Sequence, residues 1–171
     1  VIVWELPCNM EKLRITDAFD AVARAYEYLK NHCDVTVCIY HGGFEEDLDT
    51  GKVLSNSGEN VACKIARELE YDILLTGHQH MQVEGVELSG TYAVQPPANA
   101  PACIKIGAAV SDGLTRCSST VLPAGEKCAA EPYNTLLPLE REVQRWLDSP
   151  VGKLSESIAP EGKLVAALYG S

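Results

Sequence analysis

Apolar positions along this chain follow two different periods, and the change between them divides it. Phe19, Val22, Ala23, Tyr26 and Leu29 recur at i, i+3, i+4 spacing, which predicts an amphipathic helix from residue 17 to about 31 with one face packed inward. Thr16 is its expected N-cap. Residues 35–40 (Val-Thr-Val-Cys-Ile-Tyr) are almost wholly apolar, a pattern that suits a strand buried on both faces. Residues 41–58 are rich in Gly and Asp and read as a loop. Val61, Ile65 and Leu69, flanked by Ala62 and Ala66, then predict a second helix over about 59–69. A strand at 73–76 follows, so 16–76 reads α-β-α-β, the signature of a parallel sheet. Residues 1–15, broken by Pro7 and Asn9, read as irregular.

After His80 the period shortens. Residues 83–88, 91–94, 103–110 and 114–121 predict short antiparallel strands punctuated by Ser89-Gly90, Pro96-Pro97 and Asp112-Gly113. An Asp-Gly pair between two apolar runs is a strong hairpin signal. Residues 123–137 read as a connector bearing Pro and Gly. A helix is expected over 139–147, ended by Ser149-Pro150. Residues 151–171 are weakly periodic and read as a linker. The fold class expected is α/β, in two parts, 1–137 and 138–171.

Composition narrows the possible functions. At 171 residues and 46% hydrophobic, the chain can bury one core. No apolar run approaches the ~18 residues of a membrane-spanning helix. A net charge of −10 argues against a surface for duplex nucleic acid, because no basic stripe neutralises phosphates. Bound divalent cations would reverse the local field in their own site, so a small anionic substrate stays open. The seven cysteines contain no C-x-x-C pair. Cys33, Cys38, Cys63 and Cys103 lie in or beside apolar segments and are expected as buried free thiols. Cys117 and Cys128 are the pair that would form a bridge.

The candidate chemistry sits at strand ends. Gly77-His78-Gln79-His80 follows the strand at 73–76, and His41 closes the strand at 35–40 and leads into Gly42-Gly43. Three of the four histidines thus fall where an open α/β sheet places its ligands, and neutral imidazole is a common ligand for Zn²⁺, Mn²⁺ or Fe. The glycine of the G-H-x-H turn is expected to relax the backbone so that both rings reach one volume. Glu45-Glu46-Asp47 reads as a solvated acidic loop. Asn60 opens the second helix, and Gln95-Pro96 reads as a turn at the sheet edge. Asn99, in a Pro-rich loop, is a weak candidate for touching substrate. His32 suits a helix C-terminus.

These residues carry a resemblance. The strand with Tyr40-His41-Gly42-Gly43-Phe44-Glu45, then Gly58-Glu59-Asn60 opening a helix, then residues 72–80 ending in Gly77-His78-Gln79-His80, resemble the calcineurin-like metallophosphoesterases. The branch they are most similar to is that of the bacterial 5′-nucleotidases and 2′,3′-cyclic-nucleotide 2′-phosphodiesterases. Val3-Trp4-Glu5, Val94-Gln95-Pro96 and residues 146–152 are similar to that branch too. The resemblance implies part of a four-layer αββα sandwich: the second half of the phosphoesterase domain in 1–137, then a helix and exit linker in 138–171 towards a C-terminal nucleotide-binding domain. It implies two divalent metals, of the Mn, Zn, Fe or Mg class, in the parent protein. His41 and His78 would serve one metal and His80 the other. The family's D-x-H, G-D-x-x-D and G-N-H-E/D motifs do not occur in this sequence, and the resemblance would place them ahead of residue 1. No catalytic residue is therefore assigned to this chain, and metal occupancy is expected to be partial at most. The implied activity of the parent is hydrolysis of nucleotide phosphoesters, in an extracytoplasmic setting. The alternatives are a hydrolase of sugar nucleotides or other small phosphate esters, or a non-catalytic metal-binding module. Without its first half, the chain is expected to pair with that half or to self-associate.

Overall fold

The computed structural model describes residues 5–111, 113–125 and 127–153. The chain divides after Ala124 into two compact units. In the first, a short helix α1 (Pro7–Met10) precedes α2 (Ala18–Leu29), β1 (Val37–Ile39), α3 (Ala62–Glu68), β2 (Ile73–Leu75), β3 (Val83–Leu88), β4 (Thr91–Gln95), β5 (Ala102–Ser111) and β6 (Leu114–Pro123). The second holds α4 (Ala130–Leu147).

The α-β-α-β expectation holds. Strands order β1-β2-β4-β3, with β1, β2 and β4 parallel and β3 antiparallel to β4. The register aligns Cys38, Leu74 and Ala93 across the three parallel strands. All three are buried and form one row under α2 and α3, packed with Tyr26, Ile65 and Phe44. Because strand side chains alternate between faces, the neighbouring rows point the other way. There the expected two-sided burial fails at β1: Val37 is 45% and Ile39 81% exposed.

The second face is covered in part by the β5–β6 hairpin, paired in register from Ala102↔Pro123 to Ser111↔Leu114. Tyr92 on β4 shares a hydroxyl–hydroxyl hydrogen bond of 2.7 Å with Ser119 on β6. Beside this contact a cleft of about 550 Å³ stays open, lined by Ile39, Leu75 and Val94 of the sheet and Ile104 and Ile106 of the hairpin. The first unit thus supplies a helix layer, a four-stranded sheet and a two-stranded ribbon.

Helix ends depart from the pattern for identifiable reasons. Asp17, not Thr16, caps α2, accepting the Asp20 amide at 3.0 Å. Residues 7–10, expected as irregular, form one helical turn with Pro7 at its start, where a missing N–H costs nothing. The connector expected at 123–137 is largely helix, since α4 begins at Ala130. Pro132 lies in the first turn, where proline is tolerated. Pro138 is accommodated inside the helix. On α4, Leu136, Leu139, Val143 and Trp146 recur at helical spacing and are exposed. Among the described residues no helix is long and apolar enough to cross a membrane. The linker expected at 151–171 lies, beyond residue 153, outside the described residues.

The cysteines are free. Cys38 and Cys63 are buried as expected, and burial pushes each thiol up to about 11. Cys33 and Cys103 are exposed instead. Cys33 lies beyond the end of α2, and Cys103 takes the outward position in the alternation of β5. Cys117 and Cys128 form no bridge.

At the opposite end of the strands from the histidines, Asp72 ties the sheet together. Its Oδ2 accepts the Thr36 amide at 2.8 Å and the Thr36 hydroxyl at 2.9 Å. Burial pushes this carboxyl up, but hydrogen bonds from Thr115 and Thr36 outweigh it and hold it below the ordinary aspartate value.

Two outcomes follow. Leu74→Ala, at a fully buried position, should cost about 2–5 kcal/mol in urea unfolding, while Ile39→Ala should stay within about 0.5 kcal/mol. For Asp72 the folded value lies below the unfolded one, so its contribution is complete above about pH 3.9 and is lost as pH falls through the folded value. Thr36→Val should therefore be less stable than the parent sequence at pH 6, with the gap narrowing in acid below that value. A gap independent of pH would contradict the assigned partner.

Candidate metal-binding site

His41 and His78 meet. His41 follows β1, His78 lies three residues past β2, and these strands are parallel neighbours, so their C-terminal ends open side by side. The ring centroids are 5.6 Å apart at an interplanar angle of 68°. The Gly77 amide donates to the Gly42 carbonyl at 3.1 Å, joining the two loops backbone to backbone. A Cβ on Gly77 would stand 3.4 Å from His41 Nδ1, in ordinary van der Waals contact with the imidazole.

The backbone strain falls elsewhere than expected. It is His78 (φ 73°) and His80 (φ 57°) that occupy the left-handed region, at roughly 1–3 kcal/mol each for non-glycine residues. Such strain persists only where surroundings fix it, and it gathers at functional sites. His80, in the loop beyond β2, is exposed, and among the described residues no ring contact joins it to the other two.

His78 carries a further partner. Its Nε2 lies 2.8 Å from Glu59 Oε1, both side chains being partly buried. Glu59 is steadied by the buried Tyr40, whose hydroxyl donates to the Glu59 carbonyl at 2.7 Å. A carboxylate on one nitrogen of a histidine fixes its tautomer and ring orientation. Two imidazoles and a carboxylate match the donor types that borderline divalent metals take. Among the described residues, however, no three His, Cys, Asp or Glu side chains are grouped tightly enough to hold an ion. The donor set fits part of one coordination sphere, and it lacks the shared carboxylate that two close ions need.

The polar residues around the pair hold the loops in place. The acidic run expected to be solvated is engaged. Glu45 accepts the amides of Cys63 at 2.9 Å and Lys64 at 2.6 Å, capping the first turn of α3, where a carboxylate also meets the positive helix end. Glu46 forms a two-point pair with Arg67, both contacts 2.6 Å, and hydrogen bonding from that guanidinium lowers its carboxyl below the ordinary value. Asp47 accepts from the Thr50 amide and hydroxyl. Asn60 Oδ1 accepts the Gly43 amide at 2.7 Å. These bonds delay the start of α3 to Ala62, past the expected residue 59.

Gln95 is fully buried, donating to the Met81 carbonyl at 2.9 Å and accepting from the Thr76 hydroxyl at 3.2 Å. Asn99 (φ 63°) is exposed in the loop between β4 and β5. His32 takes its expected structural place, with Nδ1 2.5 Å from the Tyr28 carbonyl and its ring stacked on Tyr28. Sequence reasoning passed over Glu59 and Gln79. Neither has a local signal, since each acts across 19 residues or more, Gln79 bonding both backbone groups of Phe44.

No family model and no curated protein matches this chain. Among solved structures it is similar to a Staphylococcus aureus protein provisionally named a 5′-nucleotidase, crystallised in complex with α-ketoglutarate. Sequence identity is 25% and the TM-score 0.73, covering 95% of this chain and 33% of that one. The chain thus spans about a third of the length of the structure it matches. Its mixed α/β architecture is that of a segment of a 5′-nucleotidase-type, metallophosphoesterase-like fold.

Proposed function

We propose that this chain is the histidine-bearing second half of the phosphoesterase domain of a metal-dependent hydrolase of nucleotide phosphoesters. The activity would be that of a 5′-nucleotidase, or of a 2′,3′-cyclic-nucleotide 2′-phosphodiesterase with 3′-nucleotidase action. The observation that carries this reading is the meeting of His41 and His78 at the ends of neighbouring parallel strands, in a fold similar to that of a protein named for the activity. His41 and His78 are assigned to one metal and His80 to a second. Divalent ions in such a site supply an activated water and a clamp on the phosphoryl oxygens. This chain would hold its imidazoles oriented, Glu59 fixing His78 through Nε2. Asn99 is assigned a peripheral contact to substrate. The parent is assigned to an extracytoplasmic compartment.

The bridging carboxylate and the group that protonates the leaving oxygen must come from other residues. Most of the rate in such a site comes from its assembled electrostatics. The 171-residue chain alone should therefore bind Zn²⁺ or Mn²⁺ weakly, lose that binding in a His41→Ala/His78→Ala variant, and show no turnover of nucleotides or p-nitrophenyl phosphate. Robust metal-dependent turnover by the purified chain would refute the division of labour. Metal binding with no D-x-H or G-N-H-E/D motif encoded upstream would favour the non-catalytic module.

The open face of the sheet generates a second expectation. Ile39 and Val37 lie on β1, an edge strand, and unpaired edges with apolar faces recruit other chains. In size-exclusion chromatography with light scattering, the chain should self-associate with rising concentration, and Ile39→Lys should suppress this. A monodisperse monomer at high concentration would contradict an interface on this face.

A further inference from the structure

Gln79 separates the two histidines of the second loop, and its side chain reaches back to the first. Its Oε1 accepts the Phe44 amide at 2.8 Å, and its Nε2 donates to the Phe44 carbonyl at 2.8 Å. Phe44 is itself anchored, 1% exposed in the core. The amide lies flat against the chain at Gly43, where a Cβ would fall 2.0 Å from Oε1 and 2.1 Å from Cδ. The φ of Gly43 is not positive, so the demand for glycine there comes from Gln79 and not from the backbone. The other polar groups of this turn are also bonded: the Gly43 amide to Asn60, the Gly43 carbonyl to the Ala62 amide, and the Gly42 carbonyl to the Gly77 amide.

We propose that Gln79 is a positioning residue, a latch that fixes the His41 loop against the His78–His80 loop through the backbone of Phe44. A primary amide is needed, because one end must accept and the other donate. Glutamate offers only acceptors and would face the Phe44 carbonyl with a charge. The latch also accounts for the strain. Gln79 sits between two left-handed residues, and its two bonds to a buried anchor hold a conformation that costs energy on both sides. With the latch cut, His78 and His80 are free to relax to negative φ, and the His78 ring leaves His41. This consequence for ligand geometry rests on the metal-site reading above; the latch itself rests on the hydrogen bonds.

The test separates the two. In metal-free protein, amide exchange is followed at Phe44 and Gly77, with Ile65 and Leu74 as core references. Phe44 reports its own lost partner, whereas Gly77, bonded to Gly42, reports the register between the loops. Gln79→Met, close in length but without the amide, should speed exchange at both by about tenfold and leave the core unchanged. It should also weaken Zn²⁺ binding about tenfold, the size expected when support behind a ligand is removed. Gly43→Ala should reproduce both effects by displacing the side chain, and should add little in a Gln79→Ala background. Unchanged exchange at Gly77 in Gln79→Met overturns the latch, and loosened exchange with unaltered Zn²⁺ affinity overturns its part in positioning the histidines. Failure of the unsubstituted chain to bind Zn²⁺ overturns the metal reading, and the exchange at Gly77 then decides the latch alone.

Discussion

The parallel pairing of β1 with β2 is the constraint from which the remaining geometry follows. Its register, Ile39 opposite Leu75 with the Tyr40 amide continuing onto the Leu75 carbonyl, sets which residues leave the two strands at the same height. His41 and the Gly77 turn emerge together for that reason. The same register puts Cys38, Leu74 and Ala93 in one buried row. A slip of one residue would send that row to the opposite face and part the histidines. Core packing and site geometry are therefore fixed by a single alignment.

Around that alignment, much of the polar chemistry near the site is spent on holding backbone. Glu45 caps α3, Glu46 engages Arg67, Asn60 holds Gly43, and Gln79 spans the two loops. In a chain of net charge −10, carboxylates beside a histidine pair invite assignment as metal ligands. Here two of them act through amides and a guanidinium instead. Glu59 alone touches an imidazole among the carboxylates described in that cluster, and it orients the ring.

The sheet is asymmetric in its cover. Helices seal one face, while β5 and β6 seal only part of the other, leaving Ile39, Leu75 and Val94 along a cleft. An apolar surface of this kind is uncommon on a self-sufficient domain.

Much of this was legible in the sequence. Apolar spacing located α2, β1, β2 and the four later strands, because the 3.6 and 2.0 residue periods are imposed by local geometry. Histidines closing two apolar runs foretold that His41 and His78 would meet, since neighbouring parallel strands must end together. What the sequence could not carry was anything set by distant partners. The late start of α3 depends on Glu45 and Asn60 reaching the same turn from both sides. Ile39 reads as core, yet burial depends on what packs above it. The roles of Gln79 and Glu59 arise from contacts 19 to 35 residues away in the chain, which only the folded sheet brings within bonding distance.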